Sequence, residues 1–399
     1  MRRSTQWMIR ASYITSVLFG VTSLCYVENT GEVYTKPLVT IYSALANMAM
    51  LALVPHFQHL DYNAHSLPVL TNSLIFVLKA VGSIITVIIN WTNRGVFVKT
   101  LNDLASIRCK FMRRWPLSDK IKEKFETILR RKLLLGFITL AAIMLSSIEY
   151  IQTQLKIESF YAILPAIMVN CIINMVIMNY FLCITHLNVL LWAINEELEK
   201  ILKSTYQLWH LRIMGQIGLG TWITQCCRLS DNLDELAVAQ HHLHLLGNRI
   251  NRMYDTQTAC VLVMVYLNNL SMIYMSYPTT QKAKLFDEFS SWALVVMPIL
   301  MILYYIDLVF FVRGMIEFEE SFVATSKLLR ERKLLYPALD VRLEESFKNF
   351  SLQLAKFPVE MKLVGLFKFD RSMAFSIFGS TISNAIVLIQ YDYKNNSDE

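Results

Sequence analysis

The stretch "YAILPAIMVNCIINMVIMNYFLCITHLNVLLWA", residues 161–193, contains no Asp, Glu, Lys or Arg. About 20 predominantly apolar residues suffice for a helix to cross about 30 Å of hydrocarbon, so this run is more than long enough. Directly after it comes "INEELEKILKSTY", residues 194–206. There Glu196 and Lys200, and Glu199 and Lys203, are spaced to pair along one helical turn. The spacing predicts a membrane span that continues as helix into water.

Working outward, further apolar runs occur at 37–54, 68–90, 133–151, 256–277, 292–312 and 372–391. With 161–193 that makes seven. Composition agrees: 54% of the residues are hydrophobic and 17% are charged, against about 25% charged in soluble domains. The expected fold class is therefore all-α, a polytopic membrane protein with seven transmembrane helices. A weaker run at 11–27 is expected to be interfacial or re-entrant. A cleaved signal peptide is its rival, because Arg2 and Arg3 precede an apolar core.

Lys and Arg set the sidedness. The segments 1–36, 91–132, 195–255 and 313–371 hold 33 of the 38 basic residues; the segments between the other span ends hold 4. By the positive-inside rule the N-terminus is expected to be cytosolic and the C-terminus extracellular. The expected organisation is a cytosolic or interfacial segment 1–36, spans 1–4 within 37–193 and a cytosolic helical region 194–255. Spans 5–6 follow within 256–312, then a second cytosolic helical region 313–371, a seventh span 372–391 and an extracellular tail 392–399. In 229–254, Ser230 and Asp231 are candidate caps ahead of an apolar stripe of Leu233, Leu236, Val238, Leu243, Leu246 and Ile250. Residues 341–357 carry a similar stripe. Such helices need a layer to pack on, and extensions of the spans would supply it.

The last span has its own pattern. Ser376, Ser380, Ser383, Val387 and Gln390 recur at helical spacing, so they share one face. Phe375, Phe378, Ile382, Ile386 and Ile389 occupy the rest. A small, hydroxylated face on a membrane helix either packs on another helix or lines water. Candidate ligand contacts in the outer halves of the other spans are Asn72, Phe76, Glu149, Tyr150, Asn170, Tyr266, Asn269, Tyr274 and Trp292. Lys79 joins them as an intramembrane charge, and Asp307 is expected to make a structural or gating contact. The seven cysteines match no metal or disulfide framework, and His241, His242 and His244 are expected on a solvated surface. No catalytic residue, metal site, cofactor or nucleic-acid partner is expected.

The tail "FSLQLAKFPVEMKLVGLFKFDRSMAFSIFGSTISNAIVLIQYDY" resembles that of insect gustatory receptors. Those receptors carry Gly-Leu-Phe before the last span, here Gly365-Leu366-Phe367. Their last span carries Thr-Tyr, five apolar residues and Gln-Phe. Here the matching positions are Ser383, Asn384, Ala385 to Ile389, Gln390 and Tyr391. Asn384 in place of Tyr is the main departure. The resemblance implies a tastant-gated, non-selective cation channel in the plasma membrane of chemosensory neurons. It further implies a homo-tetramer, or a hetero-tetramer with related subunits, around the seventh helix. Ser383, Val387, Gln390 and Tyr391 would then form the pore and gate. Sugar-responding members carry an acidic residue where this chain has Ala385, so bitter or other non-sugar compounds are the expected ligands. The rival readings are a secondary transporter using Lys79 and Asp307 as coupling charges, and a G-protein-coupled receptor. No internal repeat supports the former. The basic-residue bias, the missing Asp-Arg-Tyr after span three and the missing Asn-Pro-x-x-Tyr in span seven oppose the latter.

Overall fold

A computed structural model describes residues 3–27, 31–53, 67–153, 160–276, 291–331, 339–365 and 367–397. Along the chain these form α1 (Arg3–Leu18), β1 (Cys25–Tyr26), β2 (Val33–Tyr34), α2 (Pro37–Leu53), α3 (Leu67–Thr92) and α4 (Arg94–Arg114). Then come α5 (Asp119–Thr153), α6 (Phe160–Ile213), α7 (Leu219–Ser276) and α8 (Ser291–Glu331). The chain continues through α9 (Val341–Lys356), β3 (Lys362–Leu363), β4 (Phe367–Lys368) and α10 (Arg371–Ser397). The protein is mostly helical; the strands form two small antiparallel hairpins, β1–β2 and β3–β4. The seven apolar runs fall on α2, α3, α5, α6, α7, α8 and α10.

Among the described residues, three helices are long and apolar enough to cross a membrane on their own: Ile167–Ile213 in α6, Leu219–Ile273 in α7 and Arg371–Tyr391 in α10. The pair α3 and α4, bent by 71° at Asn93, passes the same test as one broken span. The apolar part of α2 is shorter, and α3, α5 and α8 each have one end against residues outside the described set.

α6 is the axis of the bundle. Tyr180, Phe181, Ile184, Leu187, Leu191, Ile194 and Leu198 are all buried, and α5, α7, α8 and α3 pack around them. Amides stitch α6 to α8 at a seven-residue interval. Asn188 Nδ2 donates to the Gly314 carbonyl (3.0 Å), and Asn195 Nδ2 donates to that of Ser321 (3.0 Å). The Asn195 carbonyl oxygen accepts from Thr325 Oγ1 at 2.6 Å. Seven residues return a helix to nearly the same face, so the two helices meet along one continuous seam. Glycine permits the closest approach elsewhere: a Cβ at Gly247 of α7 would overlap the Phe318 ring of α8.

The extensions of α6, α7 and α8 gather at one end with α9. Leu343, Phe347 and Phe350 form the buried face of α9. The Asp340 carboxylate starts that helix by accepting from the backbone N–H groups of Arg342 (3.1 Å) and Leu343 (3.4 Å). Two sequence expectations are corrected here. Ser230 and Asp231 cap nothing, because α7 is continuous from Leu219. Ser230 Oγ instead bonds Ser346 Oγ (2.7 Å) and Asp231 pairs with Arg342, holding α9 to α7. His244 is buried rather than solvated: it bonds the Asn248 amide (2.8 Å) and lies edge-on to Phe322.

Among the described residues of 11–27, no helix is long and apolar enough to cross a membrane. α1 ends at Leu18, and its buried residues are Thr5, Ser12 and Ser16. Trp7, Ile14 and Leu18 point outward, 69%, 61% and 54% exposed. A helix with its polar side inward and its apolar side outward suits the lipid interface. β1–β2 is clamped onto α4 by Asn102, which accepts from Val33 N–H (2.7 Å) and donates to the Val33 carbonyl (2.9 Å).

Candidate functional site

α10 begins at a tethered hairpin. Asn251 Nδ2 donates to the Lys362 carbonyl (2.9 Å), and Asp255 Oδ1 accepts from Val364 N–H (2.5 Å). Lys368 Nζ reaches Glu319 (2.6 Å) and Arg371 reaches Glu320 (3.1 Å). The hairpin before α10 is therefore fixed to both α7 and α8. Its turn holds Val364 at φ 51° and Gly365 at φ 68°. Left-handed backbone is easy for glycine and costly for a β-branched residue, which gives the Gly of the Gly-Leu-Phe element a conformational role. Asp370 then accepts from Ser372 Oγ and Met373 N–H, both at 2.8 Å, and these bonds hold its carboxyl below the usual carboxylate range.

α10 itself lies lightly on its own protomer. Among its described side chains only Thr381 and Ala385 are fully buried. Ser376, Ser380, Ser383, Val387, Gln390 and Tyr391 are exposed, so the structure places the four predicted pore residues on uncovered surface. Phe375, Phe378 and Ile386 are exposed as well.

Where α10 touches the bundle, Met373 and Ile377 pack on the core and polar contacts join them. Asn384 Nδ2 donates to Tyr266 Oη at 2.5 Å, and the same phenol bonds Ser380 Oγ at 3.2 Å. Next to it, the Tyr305 hydroxyl of α8 and the Asn269 amide of α7 face one another beside Thr381 without a well-formed hydrogen bond. Tyr305 also meets Phe378 edge to face, centroids 5.0 Å apart. Sequence reasoning missed Thr381, Asn384 and Tyr305 as a docking set. Thr381 and Asn384 lie off the serine stripe, and Tyr305 gave no signal within its apolar run.

A narrow cavity of about 70 Å³ lies among α3, α5, α6, α7 and α8. Lys79 and Asn170, both predicted ligand contacts, line it, with Asn174, Asn268, Tyr304 and Asp307. Tyr266 and Asn269 do not line it; they belong to the α10 junction. The side chains of Asn72, Phe76, Glu149, Tyr150, Tyr274 and Trp292 lie outside the described residues. Ligand pockets usually measure about 300–1,000 Å³, so this cavity holds water but no drug-sized compound until its walls move. Asp307 is engaged by Lys132, whose Nζ lies 2.6 Å from Oδ1 and 3.2 Å from the backbone oxygen. Lys132 has no exposed surface, and its Nζ sits 5.6 Å from the centroid of the Phe181 ring.

Three comparisons bear on this architecture. The family model for the 7tm chemosensory receptors matches residues 9–395. The Drosophila melanogaster chain designated gustatory receptor 36b is 26% identical over 405 residues, covering 96% of this chain and 97% of that one. Gustatory receptor 59d of the same fly is 25% identical, covering 97% and 98%. The solved insect olfactory receptor OR5 from Machilis hrabei has the same fold, with a TM-score of 0.65 at 12% identity, covering 97% of this chain and 98% of that one. A second structure of OR5, in complex with eugenol, aligns with a TM-score of 0.63. The match over nearly the whole length, on a bundle whose last helix stands apart, means that this chain belongs to the 7tm chemosensory receptor family.

Proposed function

We propose that this chain is a gustatory receptor that works as a tastant-gated, non-selective cation channel, with α10 lining the pore of a tetramer. The observation that carries this reading is the uncovered face of α10. Ser376, Ser380, Ser383, Val387 and Gln390 lie on it and are exposed on the described protomer, Ser380 alone among them bonding Tyr266. Four such faces around an axis make a hydroxyl-lined path. Val387 would close it by dewetting, and Gln390 with Tyr391 would meet partly dehydrated cations at its narrow end. The basic-residue bias puts that end outside the cell and the α9 end in the cytosol.

Ligand entry widens the small cavity around Lys79 and Asn170. A ligand shifts the balance only through its tighter binding to the open arrangement. Mixed amide, aromatic and aliphatic lining favours small organic compounds of intermediate polarity, bitter or other non-sugar compounds among them. That the OR5 fold has been seen with eugenol supports a small-molecule ligand. The Lys132–Asp307 pair disfavours a secondary transporter, because it occupies one of the two charges that would couple to an ion.

The test is Gln390→Ala in cells giving tastant-evoked currents. Permeability ratios or gating should change while surface delivery is retained. Unchanged currents and selectivity would remove Gln390 from the pore. An epitope after residue 397 should bind antibody on intact cells; staining only after permeabilisation would reverse the sidedness.

A further inference from the structure

A larger cavity lies away from α10. It is a chamber of about 910 Å³ enclosed by α1, the β1–β2 hairpin, α4 and α6, and nothing in the pore-and-ligand reading uses it. Its charged lining is cationic. Arg10 and Arg113 are exposed at its rim, Arg94 and Arg108 are half-buried further in, and His186 lies on the α6 wall. No Asp or Glu lines it among the described residues.

The missing carboxylates are specific to this place. At the same end of the bundle Arg114 pairs with Glu235 (2.8 Å), Arg249 with Asp103 (2.7 Å) and Arg342 with Asp231. Arg94, Arg108 and Arg113 make no ion pair among the described residues. Arg94 is positioned instead by the Ser23 carbonyl (3.1 Å) and Thr40 Oγ1 (2.5 Å). Arg108 lies against Gly31, at φ 77°, where a Cβ would overlap the guanidinium. Among the described residues, two guanidinium groups are thus set in place without a carboxylate partner. Guanidinium forks match phosphate geometry.

The remaining lining mixes uncharged polar groups, such as Gln6, Asn90 and Asn179, with a larger apolar share. Leu101, Leu104, Val176, Leu182 and Val189 form walls that suit hydrocarbon better than a hydrated ion. The surface around α1 indicates where the chamber sits. Trp7, Ile14 and Leu18 face outward from α1, and Tyr26 and Tyr34 face outward from the hairpin. Exposed aromatic and aliphatic side chains of this kind settle at the headgroup level of a bilayer. Basic pockets between helices on the cytoplasmic side bind anionic headgroups.

We propose that this chamber binds an anionic phospholipid with a terminal phosphate, the headgroup on Arg94, Arg108 and Arg113 and the acyl chains along the α4–α6 walls. The assignment to the cytosolic leaflet rests on the sidedness proposed above; the assignment of an anionic amphiphile does not. Such a lipid would brace α1 and α4 against the central helix.

The experiment uses the purified full-length receptor in detergent, with binding followed by native mass spectrometry. Dioctanoyl phosphatidate should bind saturably, dioctanoyl phosphatidylcholine should not, and glycerol phosphate should fail to compete. Arg108→Gln and Arg113→Gln should each weaken phosphatidate about fivefold, and together about 25-fold, at about 1 kcal/mol per basic residue. Arg228→Gln, at an exposed site on α7 outside the chamber, should bind as the parent does. If the double variant melts early, the single Arg113→Gln change, at an exposed residue, carries the test. Equal binding of phosphatidylcholine, or undiminished binding by the variants, overturns the proposal. Equal competition by glycerol phosphate means a soluble anion and overturns it too. Detergent binding is blind to topology, so a failed epitope test and a failed lipid test are distinguishable.

Discussion

Replacing Lys132 by Met removes an ammonium group from a site with no exposed surface and leaves Asp307, 18% exposed, without its partner. At 2.6 Å the gross attraction is about 6 kcal/mol for an effective dielectric of about 20. Part of that is offset by desolvation, and breaking one side of a buried pair typically costs about 3–5 kcal/mol. Asp307→Asn strands the ammonium instead, in a site with no exposed surface, and should cost about as much. The double variant Lys132→Met, Asp307→Met should recover most of the stability. Thermal melting of detergent-purified receptor, read as the monodisperse fraction on size exclusion, measures all three. A Lys132→Met protein that melts like the parent, or a double variant no more stable than the single ones, refutes the reasoning.

Two further outcomes follow from residues near α10 and α9. Gly365→Ala should cost about 1–2 kcal/mol, the penalty for a Cβ in left-handed backbone, since no neighbour lies within 4 Å of the new atom. Val364→Gly should be neutral or stabilising in the same melting assay, and a larger loss for Val364→Gly than for Gly365→Ala would contradict the turn geometry. His244 lies well before the apolar run of α7. Burial first, then the adjacent His241, holds its imidazole below the usual range. The unfolded chain then binds the proton more tightly, so stability is full above about pH 6.5 and falls as pH drops through the folded value. His244→Gln should flatten that acid limb, and an unchanged melting profile between pH 7 and 5 would assign the acid sensitivity to other groups.

The helical fold was legible because hydrocarbon imposes a length and a polarity on each span, and both are local properties of the sequence. The pairing Glu196–Lys200 (3.0 Å) was legible for the same reason, since i and i+4 meet on any helix. What depended on distant partners was not legible. Ser230 and Asp231 have the composition of a cap, yet α7 runs through them because Ser346 and Arg342, more than a hundred positions away, satisfy them instead. His244 looked solvated in a row of histidines, and only the packing of α8 and the chain around Phe357 shows it covered. Lys132 sat at the edge of an apolar run like any flanking cation. Nothing local linked it to Asp307, 175 residues on. At the candidate site, the serine stripe was visible as a period, but the face that docks, Thr381 and Ala385, depends on the position of Tyr305 and Tyr266.

The environment of α10 follows from its two uncovered sides taken together. Phe375, 77% exposed, and Ile386, 48% exposed, are at ease against lipid tails. Gln390 is not: an amide moved into hydrocarbon without a partner costs several kcal/mol. Ser376 and Ser383 add to that cost unless they bond back to their own helix. A helix surrounded by lipid satisfies the first set and strands the second; one surrounded by water does the reverse. In the proposed pore the apolar flank meets lipid or a neighbouring protomer while the serine–glutamine stripe meets water, which satisfies both. The described protomer supplies neither cover, because it holds α10 along one side only, through Met373, Ile377, Thr381, Asn384 and Ala385. That one-sided hold also bears on gating. A helix fixed by a few contacts up to mid-length and tethered at its start through Lys368–Glu319 and Arg371–Glu320 can tilt at its far end, where Gln390 and Tyr391 lie, without unpacking the α6 core.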